Sequence, residues 1–266
     1  MPADAIDTVN GTSISGVYSV DASMRRSGLD LPERAALEAI EDTVRGRPIL
    51  DLGVGGGRTT FDLRELSPDY VAIDYSPEMV AACRARYPDV DVRVGDARDL
   101  SQLPSDHFAL VLFSCNGLGM LGHADRLRVL AEVRRVLAPA GVFAFSTHNL
   151  DARANHRRLA LPELELVSNP LRSAVRTLRF ARRTVVRAVN RARYRRHEEH
   201  HGGWAILNSE CLDYGTLLYH VTLAEARRQL AAAGFAGDRV IAYDLSGFAI
   251  EAGTTDDSIL YLARRA

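Results

Sequence analysis

Residues 48–57 read Pro-Ile-Leu-Asp-Leu-Gly-Val-Gly-Gly-Gly. The apolar run Ile49 to Leu52 has the length and character of a buried strand, and it stops at alternating glycines, Gly53, Gly55 and Gly57. Arg58 to Leu66 then has helix-forming character. A strand that passes through glycines into a helix brings bare backbone close to a ligand. A dinucleotide fingerprint, G-x-G-x-x-G, would need a glycine at 58, where this chain has Arg. Asp51 stands two residues before the first glycine. A carboxylate there is a poor neighbour for a pyrophosphate, which seeks the positive end of a helix dipole, and a good one for an ammonium group. Taken alone, the segment also fits a tight strand-to-helix turn with no ligand.

The segments downstream supply context. Tyr70 to Asp74 reads as a second strand ending in an acid, at the spacing from the turn where an acid on the next strand meets ribose hydroxyls. Ser76-Pro77 has N-cap and first-turn chemistry for a helix. Val90 to Val94 predicts a third strand, ending at Gly95-Asp96-Ala97-Arg98, and Phe108 to Phe113 a fourth, running into Ser114-Cys115-Asn116-Gly117. Four strands therefore deliver polar residues to one edge of a sheet, the edge where open α/β sheets bind ligands.

These residues resemble the class I S-adenosylmethionine-dependent methyltransferases of small molecules, over roughly residues 33–149 and 220–266. The run Asp51-Leu-Gly53-Val-Gly55-Gly-Gly57 is similar to the family's first motif. The resemblance implies S-adenosylmethionine as cofactor, with S-adenosylhomocysteine as product. It puts Asp51, Gly53 and Gly55 around the methionine part, Asp74 on the ribose, and Tyr75 and Met79 beside the adenine. Asp96 and Ala97, followed by Arg98, would meet the adenine amino edge, and Ser114, Cys115 and Asn116 would face the ammonium.

The chain has 266 residues, 47% of them hydrophobic, and a net charge of −1, enough for one large α/β domain with an insertion. No apolar run reaches membrane-spanning length and no signal-peptide pattern opens the chain, so a cytoplasmic protein is expected. Three cysteines with no C-x-x-C pair give neither a disulfide framework nor a zinc site. Every basic side chain is Arg, which excludes mechanisms built on a catalytic lysine.

The expected fold is a Rossmann-like, doubly wound, seven-stranded and mostly parallel sheet with an antiparallel last strand. Residues 1–30 read as an N-terminal arm, with Tyr18 its candidate for the acceptor. The cofactor-binding domain covers 31–150 and 211–266. One helix is expected over 31–44, and a second over 125–137 with Leu127, Leu130, Val133 and Leu137 inward. A fifth strand is expected over 141–146. Thr222 to Glu225 is a capping box. Arg239 to Leu245 and Ser258 to Ala263 are close enough to pair antiparallel. Residues 151–210 form an insertion after the fifth strand, and 151–201 hold 13 Arg against 5 acidic residues. Its apolar residues recur at near-helical spacing, with Arg on another face, which predicts a basic amphipathic lid of one or two helices.

Methyl transfer needs a nucleophile aligned behind an electrophilic methyl and water excluded. His148, directly after the fifth strand, is the first candidate base and His220 the second. Asn149, Arg172 and Arg176 are candidates for the acceptor, the arginines because their forks match anionic groups. The loose His197, His200 and His201 cluster lies among arginines, and no metal is assigned. The expected reaction is transfer to O, N or C of a small molecule by a monomer or homodimer. The alternatives are an RNA methyltransferase using the basic insertion, ranked lower because no separate RNA-binding domain is read and interleaved aromatics are thin, and a non-catalytic S-adenosylmethionine-binding module.

Overall fold

The computed structural model describes residues 6, 8–10, 20–156, 161 and 168–266. Its helices are α1 (Val20–Met24), α2 (Leu31–Glu38), α3 (Glu41–Val44), α4 (Thr60–Leu66), α5 (Pro77–Arg86), α6 (His123–Val136), α7 (Pro170–Tyr194) and α8 (Leu223–Ala232). The strands are β1 (Ile49–Leu52), β2 (Tyr70–Asp74), β3 (Asp91–Val94), β4 (Phe108–Phe113), β5 (Leu137–Asn149), β6 (Glu199–His200), β7 (Trp204–Leu207), β8 (Leu218–Val221), β9 (Ile241–Tyr243), β10 (Ala249–Ile250) and β11 (Ser258–Arg264).

Strands β1 and β4 are buried along their whole length, which is why they read as unbroken apolar runs rather than as alternations. Alternate residues feed two cores. Leu50, Leu52, Val111, Phe143 and Phe145 pack with α6 and α8 on one face. Ile49, Leu110, Leu112, Val142 and Ala144 pack with α2, α4 and α5 on the other. The sheet is thus doubly wound, in the order β10-β9-β11-β5-β4-β1-β2-β3. β1 through β5 run parallel, and β11 is antiparallel to both β5 and β9. The expected seven-stranded core is present, and β10 and β6–β8 extend it to eleven strands.

Several local expectations are corrected. The helix over 31–44 breaks at Ile40, φ −122°, although Leu37, Ile40 and Val44 are buried as expected. On α6 the inward face carries Arg126, Val129, Leu130, Val133 and Val136, while Leu127 is exposed. Arg126 can be buried because its guanidinium lies over the Tyr219 ring (4.9 Å) and donates to Gln229 and Thr147. Burial lowers its pKa to about 10, still charged at neutral pH. Thr222 caps α8 by accepting from the Glu225 N–H, but its own N–H donates to the Gly203 carbonyl and the Glu225 carboxylate turns to Arg228, so the capping box is half formed.

Among its described residues, the insertion contains one long helix, α7, followed by the β6–β7 ribbon. β8 pairs with the last two residues of β5, His148 opposite His220 and Asn149 opposite Val221. β11 occupies the other side of β5 at His148, so β8 continues on the β4 side, beyond the point where β4 has ended. The ribbon therefore roofs the carboxyl edge of the sheet. The first described residues close against it: buried Asn10 donates to the Leu217 and Met120 carbonyls and accepts from the Leu217 N–H.

Candidate active site

The glycine turn rests on Asp51. This carboxylate is 1% exposed and accepts from the Thr59 hydroxyl (2.6 Å) and the Tyr70 hydroxyl (2.8 Å). Burial pushes its carboxyl up to about 6, against the pull of those two hydroxyls. Expected beside the ligand's ammonium, Asp51 instead lies beneath the turn and ties β1 to β2 and to the start of α4. Gly53, Gly55 and Gly57 all have positive φ. A side chain at Gly57 would also meet the Tyr87 ring at 2.7 Å, so that glycine serves packing as well as the turn.

Asp74, at the end of β2, is 6% exposed. It accepts from the Gly55 N–H (2.8 Å) and the Ser76 N–H (2.9 Å), and burial raises its pKa. The acid at the second strand end and the glycine turn are thus in direct contact. Ser76 caps α5 by accepting from the Met79 N–H, which seats Met79 in the first turn, while Tyr75 stands exposed at the rim. At the end of β3, Asp96 accepts from the backbone and guanidinium of Arg98, whose other arm reaches Asp125 on α6 (2.7 Å). Burial pushes the Asp96 carboxyl up, but the Arg98 bonds outweigh it and hold the group below its ordinary range. Ala97 packs against the core.

After β4, Cys115 and Asn116 are both left-handed, φ 52° and 57°. Asn116 donates its N–H to the Ser146 hydroxyl at 2.8 Å. Its side-chain Oδ1 is buried without a hydrogen-bond partner, a costly state for a polar atom. Ser114 accepts from Arg58 (3.0 Å), and Arg58 forms a two-pronged buried pair with Glu33 (2.6 and 2.7 Å) and donates to the Gly28 carbonyl. Burial alone would depress this guanidinium; Glu33 reverses that and keeps it protonated. Segment 20–30 lies over the glycine turn, with the Gly56 N–H donating to the Ser23 hydroxyl and Arg26 reaching the Cys115 sulfur. Sequence reading missed Arg58 and Glu33 because they are 25 residues apart and on different elements; the signal available was an Arg where a dinucleotide turn has glycine.

His148 and His220 come together under the roof, ring centroids 5.1 Å apart. Nδ1 of His220 donates to the Leu218 carbonyl (2.9 Å), which leaves Nε2 as the acceptor of the neutral ring. Burial, then the neighbouring His220, push His148 down to about 3; burial pushes His220 down to about 4. Gly119, in the turn after β4, faces His148: a Cβ there would lie 2.9 Å from the imidazole.

The acceptor candidates fare differently. Asn149 is corrected: at 1% exposure, it donates to the Thr254 and Asp256 carbonyls and accepts from the Asp151 N–H, pinning the loop before β11. Tyr18 lies outside the described residues. Arg172 is exposed in the first turn of α7 and Arg176 is half-buried in the next. The arginines that bind the roof are others: Arg183 and Arg187 donate to Asp213 (2.8 and 2.7 Å), and Arg191 to Glu198 and to the Asn208 carbonyl.

Residues 49–141, which carry the first four strands and the glycine turn, match the family described as "Methyltransferase domain". A probable S-adenosylmethionine-dependent methyltransferase of Mycolicibacterium smegmatis is 34% identical over 105 residues, 39% of each chain. The chain spans between two fifths and about half of the length of the curated relatives it matches. A crystal structure of an S-adenosylmethionine-dependent methyltransferase from Mesorhizobium loti has a TM-score of 0.57 at 22% identity, covering 93% of this chain and all of that one. The 1,6-didemethyltoxoflavin-N1-methyltransferase of Burkholderia thailandensis, solved with 1,6-didemethyltoxoflavin and S-adenosylhomocysteine, has a TM-score of 0.56 at 17% identity, covering 98% and 88%. The two solved structures share the fold. Residues 49–141 thus carry a methyltransferase domain similar to those of S-adenosylmethionine-dependent methyltransferases, whose cofactor is S-adenosylmethionine. Among the described residues, no helix is long and apolar enough to cross a membrane.

Proposed function

We propose that the chain transfers a methyl group from S-adenosylmethionine to an O, N or C atom of a small molecule held beneath the β7–β8 roof. The observation that carries this reading is the alignment of two half-sites along one sheet edge. The glycine turn touching Asp74, with Asp96 at the next strand end, supports a nucleoside site. Two neutral imidazoles under a roof support an acceptor site next to it.

The residues present fit the cofactor. The orphaned Oδ1 of Asn116 is an acceptor in need of a donor, which an ammonium group supplies. Asp74 would hold the ribose hydroxyls, Met79 and Tyr75 would flank the base, and Asp96 and Ala97 would meet its amino edge. Asp51 acts through the turn it supports and is a positioning residue. When bound, the sulfonium supplies an electrophilic methyl. The chain's own task is then to exclude water and orient the nucleophile, which the roof, half-buried His148 and buried His220 are suited to do. With pKa values near 3 and 4, His148 and His220 offer lone pairs throughout the neutral range, but as weak bases. They suit an acceptor that needs alignment more than deprotonation.

The test is a methyl-transfer assay with labelled S-adenosylmethionine and a panel of neutral and anionic small molecules. Label should pass to a small molecule and fall on replacing His148 by Ala, while cofactor affinity by calorimetry stays. Transfer to RNA alone would instead support the basic insertion as a nucleic-acid reader, and cofactor binding without transfer to any of the panel would favour a binding module.

A further inference from the structure

Helix α7 is seated the wrong way round for a soluble lid. Arg183, Arg187, Asn190 and Arg191 bind Asp213, Glu198 and Asn208, so the polar side faces the protein. The aliphatic side faces out: Val175 is 50% exposed, Leu178 71%, Val185 62%, Val186 40% and Val189 57%. At about 3.6 residues per turn these five fall within roughly 100° of arc. The helix holds eight Arg and no acidic residue. Arg172, Arg179, Arg182 and Arg193 are exposed; at about 100° per residue Arg172 and Arg179 flank one margin of the aliphatic stripe, and Arg182 and Arg193 lie within its arc.

We propose that this outer face of α7 docks on the surface of an anionic lipid bilayer. Its occupant must be both apolar and negatively charged, and a bilayer of acidic lipids is both. A stripe about 21 Å long, its aliphatic residues Val and Leu on a convex helix, offers no pocket or knob for a shaped partner. Arginines snorkel to phosphates while aliphatic side chains enter the acyl boundary, the arrangement of helices that lie in the interface plane. A second copy of the chain would bring the exposed Arg172, Arg179, Arg182 and Arg193 against the same four like charges. RNA would gain nothing from the exposed aliphatic residues and finds one ring, half-buried Phe180, in the middle of the helix. The docking surface uses none of the glycine turn, the strand-end acids or the two histidines, so its failure leaves the proposed reaction untouched.

The test is flotation of the full chain with phosphatidylcholine vesicles and with vesicles containing on the order of a third phosphatidylglycerol, at low and high salt. The chain should rise with the anionic vesicles alone, and less so at high salt. Arg179→Gln with Arg182→Gln should weaken partitioning roughly thirtyfold, the effect of two cations near an anionic surface. Leu178→Asp with Val185→Asp should abolish it. Both pairs lie on solvent-exposed positions, and an unchanged melting temperature checks that they fold. No flotation with anionic vesicles, or flotation of the aspartate variant equal to wild type, overturns the proposal. So does an oligomer in solution that the aspartate pair dissociates, which would give the stripe to a second copy. Binding of an acidic amphipathic peptide without any vesicle binding overturns it in favour of a protein partner.

Discussion

Asp74 joins two parts of the site in one side chain: it is the acid at the end of β2 and the acceptor for Gly55 in the glycine turn. Replacing it by Ala removes both functions, and S-adenosylmethionine affinity should fall tenfold or more in calorimetry, the scale of a charged hydrogen bond lost from a buried site. Gly55→Val should do the same by a different route. Its φ of +54° disfavours any L side chain, and a Cβ would lie 3.0 Å from the Ser23 hydroxyl. Affinity unchanged in both variants would remove the nucleoside from this edge. For His148 the prediction concerns pH. Its pKa near 3 and that of His220 near 4 put the ionisation of neither between pH 5.5 and 8.5. The profile of kcat/KM should show no limb from either of these two imidazoles near about 6.5, the ordinary imidazole value. A limb there that vanishes in His148→Ala would show an imidazole tuned quite differently from this one.

At the scale of elements, the carboxylate of Asp213 holds α7 in place. Leu212, Asp213 and Tyr214 are all left-handed, φ 54°, 54° and 60°, a conformation that costs each non-glycine residue on the order of 1–2 kcal/mol. The turn is held by two arginines on the carboxylate and by Asn190 on the carbonyl. Asp213→Ala should raise amide exchange along 170–194 at least about tenfold and lower the melting temperature by roughly 2–4 °C, the shift expected per kcal/mol at this size. Asp213→Gly removes the same carboxylate but relaxes the backbone, so it should free the helix equally with a smaller drop; equal drops would show that the strain is not there. This element also marks where sequence legibility ends. β1, β2 and β4 were readable to the residue because both faces of each strand are buried, and a run of apolar residues has no other use there. The helical period of α7 was readable too. Its orientation was not, since the period reports two faces and not which one meets the protein, and Arg facing inward reverses the usual rule. Arg126 escaped for the same reason: its partners are Thr147 and Gln229, distant in sequence. Asn149 looked like an acceptor ligand because its position at a strand tip was visible and its three backbone partners were not.

For the whole molecule, the buried titratable groups set the response to acid. Between about pH 3 and 6.5, folded His148 and His220 bind fewer protons than they do in the unfolded chain. Stability they permit is therefore complete above about pH 6.5 and lost as pH falls toward 4. Asp51 has the opposite sign. Its pKa rises from 3.8 to about 6, so the folded state holds the proton more tightly and the penalty of its buried charge is relieved as pH falls from about 6 toward 4. Between pH 7 and about 4.5 the two histidines together cost on the order of 5 kcal/mol and Asp51 returns about 2 kcal/mol; Asp74, also raised by burial, returns a smaller part, and the histidines still win. Glu132 and Glu225, whose carboxyls their arginine neighbours hold below the ordinary range, withdraw support only below about pH 4.5 and do not alter the comparison. Urea unfolding should thus show a clearly less stable protein at pH 4.5 than at pH 7. His148→Gln with His220→Gln should erase that difference or reverse it slightly, because Asp51 and Asp74, both raised by burial, then govern the window; an acid limb unchanged in the double variant would mean that the two imidazoles are reached by water and protonate without disturbing the fold.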